Sequence, residues 1–208
     1  YHALAAIIRN MRDLAAQVEP IAIQSALQAA IDEAISAPLN LTFTFFSTYI
    51  KFNWDEAEGA AQYEIRETDT NPVGDSGWNT ADFQARTSAI QALLLPTTIG
   101  IHYYLIKSLN SQGSYSNDYT TCMVTVPGLG DITLNSQVID NTVLLTWSVP
   151  ARTFAIDHYD IKRNGSLIGT LSGTFTAIFE QVAGSYTYSV FATDIAGNES
   201  APTNVVAE

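Results

Sequence analysis

The chain carries one β-rich pattern twice, and that repetition limits its fold more firmly than any local propensity. Ile50, Phe52 and Trp54 alternate with polar residues, and Val143, Leu145 and Trp147 do the same 93 positions later. Tyr63-Glu64-Ile65-Arg66 returns as Tyr159-Asp160-Ile161-Lys162 at an offset of 96. A third set, Gly100, Tyr104, Ile106, Asn110, Gly113 and Ser116, pairs with Gly184, Tyr188, Val190, Asp194, Gly197 and Ser200 at an offset of 84. Three anchors in one order define a unit of short alternating strands separated by turn residues, which is how an antiparallel β-sandwich reads. The predicted fold is therefore mainly β, with one immunoglobulin-like sandwich over residues 38–127 and a second over 128–208. The linker Pro127-Gly128-Leu129-Gly130 is too short for free tumbling, so the two should stand end to end with limited bending. The first unit is longer between its second and third anchors by 96 − 84 = 12 residues. That excess falls around Thr70 to Gln84, where Asn71-Pro72 and Gly74-Asp75-Ser76-Gly77 predict a surface excursion. The second unit has Asn164-Gly165 at that place, the signal for a type I′ hairpin.

Residues 1–37 differ from the rest, being rich in Ala, Leu, Ile, Gln and Glu and free of Gly. Leu4, Ile7, Met11, Leu14, Val18 and Ile21 recur at intervals of three and four, the a/d seam of a coiled coil. Beyond Pro20 the stripe passes to Ile23, Leu27, Ile31 and Ile35, so two helical segments with a kink or break between them are expected. Ala26, Ala29, Ala30, Ala34 and Ala37 allow close helix approach. The segment reads as a helical association element that meets other helices; the alternative is a helix lying on its own β domain.

Nine Lys and Arg against 21 Asp and Glu give a net charge of −12, the wrong sign for following a phosphate backbone, so nucleic acid is excluded as a partner. One cysteine, Cys122, allows no internal disulfide, and His2, His102 and His158 stand far apart, which argues against a Cys/His zinc site. No apolar run reaches the roughly 18 residues of a membrane span. The opening Tyr-His reads as the start of a soluble fragment whose upstream part is missing.

Trp54 and Trp147 close alternating strands and read as core rather than as ligand platforms. Asp55, Glu56 and Glu58 lack the spacing that wraps a loop around Ca²⁺. Asp157-His158 has no serine or cysteine in a nucleophile elbow. Glu64, Arg66 and Glu67, like Asp160, Lys162 and Arg163, read as the wet face of a strand. Cys122, in step with Val124 and Val126, reads as a buried thiol. Asn40, Asn164 and Asn198 open Asn-x-Ser/Thr triplets that matter only on a eukaryotic cell surface. The expectation is a non-enzymatic chain without catalytic, cofactor-binding or metal-ligating residues and without a cofactor. Contact with partners would fall to the loops at 70–84, 110–118 and 194–200.

The repeat resembles the fibronectin type III domain. Trp147, Tyr159, Tyr186, Ala192, Asp194, Gly197 and Ser200 fall at that family's positions, with Tyr186 as the corner tyrosine that returns a hydrogen bond to backbone. The first unit departs from it, with His102 at the corner and Ser108 in place of the alanine, although Tyr103 and Tyr104 lie alongside. Tyr159-Asp160-Ile161-Lys162-Arg163, the stretch Gly184 to Ser200, and Gly77-Trp78-Asn79 are similar to repeats in the host-specificity proteins at the tail tip of long-tailed bacteriophages. That resemblance implies a structural and adhesion segment of a virion tail tip, a homotrimer joined through its N-terminal helices, with neighbouring tail proteins and a bacterial surface receptor as partners. Similar modules serve as spacers in secreted bacterial carbohydrate-active enzymes, the alternative reading, which places the chain outside the cell. A cell-surface adhesion protein is a second alternative.

Overall fold

The computed structural model describes residues 23–24, 35–181 and 184–208. Most of the 1–37 segment, including its a/d seam, lies outside the described residues; Ile23 and Gln24 are helical. Its last residues dock on the first sandwich. Ile35 is buried and packs under Gly59, the Ser36 carbonyl accepts the Ser108 hydroxyl, and the Pro38 carbonyl accepts that of Thr120.

Alternation at period two makes strands, and turn residues place their ends. The first unit contains β1 (Thr42–Phe45), β2 (Ile50–Asn53), β3 (Gln62–Thr68), a helix α1 (Gly74–Thr80), β4 (Asp82–Thr87), β5 (Gln91–Leu94), β6 (Gly100–Leu109) and β7 (Thr120–Val126). These form two antiparallel sheets, ordered β1-β2-β5 and β4-β3-β6-β7. The second unit contains β8 (Leu134–Ile139), β9 (Thr142–Trp147), β10 (Ile156–Arg163), β11 (Ser166–Ser172), β12 (Ala177–Gln181), β13 (Tyr186–Asp194) and β14 (Thr203–Ala207). Its sheets are β12-β9-β8 and β11-β10-β13-β14, the same order strand for strand. Two tandem antiparallel β-sandwiches of one topology result.

The offsets seen in the sequence become repeated geometry. Trp54 meets Tyr63 edge to face at 5.4 Å and 63°, and Trp147 meets Tyr159 at 5.5 Å and 61°. Each pair joins the end of one sheet to the other, and around each the inward residues close a dry core: Ile50, Phe52, Ile65, Tyr104 and Ile106 in the first, Val143, Leu145, Ile161, Tyr188 and Val190 in the second. The β3–β4 ladder slips register between Ile65 and Arg66, and the β10–β11 ladder slips between Ile161 and Lys162, one offset apart. Asn164 and Gly165 both take positive φ, 47° and 82°, and form the predicted tight hairpin; Asp140 and Asn141, with φ of 48° and 60°, make another between β8 and β9.

The excursion at 70–84 departs from a simple surface loop. It folds into α1 and pins itself to the outer face of the β3–β6 sheet through Trp78, which packs with Ala81, Leu105, Tyr103, Tyr115 and Tyr119. A small second core forms outside the sandwich because Leu105 is apolar on a face that would otherwise be wet. Gly77 permits the close approach, since a Cβ there would stand 2.7 Å from Pro72 Cβ.

Replacing Trp147 with Ala should cost the second sandwich roughly 3–5 kcal/mol, the range for deleting a large buried aromatic. Equilibrium unfolding in denaturant measures it, and a change below about 1 kcal/mol would contradict the sheet-joining role.

Candidate functional site

The residues with most to do beyond filling a core gather at three places on the first sandwich and its junction with the second. The junction is built by turn chemistry. At the β13–β14 turn, Asp194 Oδ1 accepts the N–H groups of Ala196 and Asn198, both at 2.9 Å, while Gly197 takes φ 83°. The β6–β7 turn repeats this, with Asn110 Oδ1 accepting Gln112 and Ser114 at 3.0 and 2.9 Å and Gly113 at φ 86°. Only the β13–β14 turn carries an asparagine after its glycine. Asn198 Nδ2 donates to Asp194 Oδ2 at 2.9 Å, which leaves Asn198 Oδ1 to accept the Ile99 N–H of the first sandwich at 2.7 Å.

Beside it Phe154, in the β9–β10 loop, is wholly buried in the first sandwich's core and meets Phe45 edge to face at 5.7 Å. The next residue, Ala155, donates its N–H to the Ser47 carbonyl at 2.7 Å and accepts Ile195 N–H at 2.9 Å. A phenylalanine plug, an amide clasp and a backbone bond thus fix the two units to one another. The limited bending expected from the linker length has this additional cause.

The second place is the outer face of β3. Glu64, read from the sequence as wet, is 1% exposed. Its Oε1 accepts Arg66 Nε at 2.8 Å; its Oε2 accepts Arg86 through both Nε and Nη2, and the Tyr115 hydroxyl at 2.7 Å. Arg66 also lies over the Trp78 ring at 4.6 Å and Lys107 at 5.5 Å, so the aromatic layer that pins α1 also covers the charges. Burial pushes the Glu64 carboxyl upward, but the bonds from Arg86, Tyr115 and Arg66 outweigh it and hold the group below its ordinary value. Sequence alternation misses this burial because the cover comes from an insertion and a distant turn.

The third place is the end of the sandwich nearest the linker. Glu67, also read as wet, shares the inward side of β3 with Tyr63 and Ile65. His102 places its Nε2 2.8 Å from the Thr98 carbonyl, four residues upstream, a bond from side chain back to backbone. Its Nδ1 lies 2.8 Å from Glu67 Oε1 and 3.0 Å from Asp69 Oδ1. Spacing along the chain gives no hint of this grouping; strand pairing of β3 with β6 creates it. At the equivalent corner of the second sandwich, the Tyr186 ring lies over Gly184 and under Arg163, 5.0 Å away.

The other singled-out residues stay apart from these places. Asp55, Glu56 and Glu58 are exposed, and Asp55 accepts Asn40 Nδ2 at 2.6 Å. His158 Nδ1 lies 2.8 Å from Asp157 Oδ2 on the surface, paired with its chain neighbour. Lys162 lies 4.3 Å over Phe191, Arg163 bonds Glu180 at 2.6 Å, and Asp160 accepts Thr170. Asn164 holds its hairpin by accepting Thr187 N–H at 3.0 Å. Cys122 is partly buried, and burial pushes its thiol up to about 12.

No protein-family model matches the chain. It is 28% identical over 153 residues to Chitinase A1 of Niallia circulans, covering 66% of this chain and 22% of that protein. It is 37% identical over 68 residues to Chitinase D of the same organism, covering 32% of this chain and 13% of that one. The chain therefore spans well under half the length of these curated relatives. Among solved structures it is similar to the two-domain fibronectin type III segment of chicken tenascin, at 17% identity and TM-score 0.37, over 83% of this chain and 99% of that one. The fibronectin(III)-like modules of Clostridium thermocellum CbhA give 14% and 0.31, over 80% of this chain and 92% of theirs.

Three outcomes follow from these sites. Because the Glu64 carboxyl sits below its ordinary value of 4.5 when folded, its stabilisation is present above that pH and is lost as pH falls through the folded value. Acid unfolding followed by tyrosine and tryptophan fluorescence should show this loss in the wild type and a flatter profile in Glu64→Gln. Replacing Phe154 with Ser should leave two folded sandwiches that bend, read as a broadened distance distribution in small-angle scattering. Cys122 should resist a thiol reagent at pH 8 until denaturant is added.

Proposed function

We propose that this chain is the non-catalytic spacer segment of a secreted bacterial carbohydrate-active enzyme, two fibronectin type III modules that hold other domains at a set distance and direction. The observation that carries this reading is the similarity to Chitinase A1 over 153 residues, 66% of this chain and more than a single sandwich holds. The physical character of the chain agrees. Trp54 with Tyr63 and Trp147 with Tyr159 join the sheets, Glu64 is held by Arg66 and Arg86, and the joint is plugged by Phe154, all of which suit a stiff strut. Among the described residues no helix is long and apolar enough to cross a membrane.

The tail-tip reading rests on the stretch Gly184 to Ser200 and on the apolar seam of residues 1–37. In that stretch Asp194, Gly197 and Ser200 close the β13–β14 turn, and Asn110, Gly113 and Ser116 close the β6–β7 turn in the same way. A motif made of turn-closing residues belongs to the module in whatever protein carries it, so it weighs less than a match over 66% of the chain.

The coding sequence on either side decides between the two. A neighbouring domain with paired catalytic carboxylates supports the spacer, and flanking tail genes overturn it. The purified chain itself should release no sugar from chitin. Sedimentation bears on residues 1–37: a trimer that becomes a monomer on deleting them would favour the tail-tip reading, and a monomer throughout would favour the strut.

A further inference from the structure

His102 presents a buried ring nitrogen without a hydrogen-bond partner. Its Nε2 meets the Thr98 carbonyl, which accepts and cannot donate, so Nε2 is the nitrogen that carries hydrogen. Nδ1 is then a lone pair in the neutral ring, on a side chain 5% exposed, facing two carboxylate oxygens at 2.8 and 3.0 Å. Despite these distances no hydrogen bond meets Nδ1, because both oxygens lie off its line. Three electron-rich atoms within 4.8 Å of one another, one on a buried ring, repel unless something positive stands among them.

We propose that His102 Nδ1, Glu67 and Asp69 bind a divalent first-row transition-metal ion, Zn²⁺ foremost. The off-line geometry is what coordination asks for. Ligands about 2.1 Å from one ion stand about 3.0 Å apart and about 45° off each other's bond axis in an octahedral arrangement, and a tetrahedral Zn²⁺ would open them to about 3.4 Å. An N–H···O bond would instead place the oxygen along the ring nitrogen's axis. One imidazole with two carboxylates suits zinc, manganese or cobalt better than calcium, which takes oxygen alone. The supporting contacts are those of ligated side chains: the Thr98 carbonyl orients the ring, and Thr97 Oγ1 donates to Glu67 Oε1 at 3.3 Å. Asp69, 83% exposed, leaves a path of entry and room for water in the remaining positions. Thr98 leads directly into Ile99, whose N–H is clasped by Asn198, so the ion would tighten the loop that the second sandwich grips. The site stands on its own geometry whether or not the chain is a spacer.

The test uses the whole chain, stripped with chelator and titrated with Zn²⁺, Co²⁺ and Ca²⁺ separately by calorimetry. Expected are one Zn²⁺ per chain, visible absorption bands on Co²⁺ addition, and a rise in melting temperature with Zn²⁺. Asp69→Asn, at an exposed side chain that leaves folding intact, should weaken Zn²⁺ binding about tenfold or more. His102→Gln should abolish the cobalt spectrum. Absence of Zn²⁺ binding, or equal affinity in wild type and Asp69→Asn, would overturn the site, and preference for Ca²⁺ over Zn²⁺ would overturn the metal class.

Discussion

An indole edge set against a phenol ring at the open end of each sandwich is the contact on which the remaining packing depends. Trp54 and Trp147 stand at the ends of β2 and β9 in one sheet, and Tyr63 and Tyr159 lie on β3 and β10 in the other, so each pair ties two layers that share no ladder hydrogen bonds. With that spacing fixed, Phe52 can tilt against Tyr104 at 4.5 Å and the β-branched residues of the inner faces can interdigitate. Chemistry has little place in such an interior. Both tryptophan Nε1 atoms and the Tyr159 hydroxyl are buried without a hydrogen-bond partner in the protein, a cost carried by the surrounding apolar contact.

The two units differ chiefly in what covers their outer faces. In the second, charges on β10 sit beside single aromatic rings, as with Lys162 and Phe191, and remain half exposed. In the first, α1 lays Trp78 across the sheet and converts Glu64 into a buried anion held by two arginines and a tyrosine. A carboxylate in that position is tolerable only because every partner is present, and losing one would leave a desolvated charge. The insertion therefore packs onto the first sandwich instead of offering a free loop.

Stiffness at the junction follows from the same economy of parts. The second sandwich contributes Phe154 to the core of the first and reads the backbone of Ile99 with Asn198, whose own amide is held by Asp194. A side chain fixed by a tight turn can grip a neighbour without the entropy loss of ordering a loose one. Two modules joined in this way share one packed interface, held by a side chain from each turn and loop that meets there.

Alternation at period two, the three offsets and the Asn-Gly signal suffice to call two sandwiches, because strand pattern and turn conformation are local properties written in neighbouring residues. Trp54, Trp147 and the Asp194-Gly197-Ser200 turn are legible for the same reason. Glu64, Glu67, His102 and Phe154 are not. Their environments come from residues brought together by sheet pairing, by a helix folded onto an outer face, and by one unit entering the other. Glu67 and Glu64 sit three apart on one strand with the same composition around them, yet one faces the core rim and the other a cap of aromatics. Which carboxylate meets a histidine and which meets two arginines is decided by the three-dimensional neighbours, since charge and burial are properties of a place and not of a position in the chain.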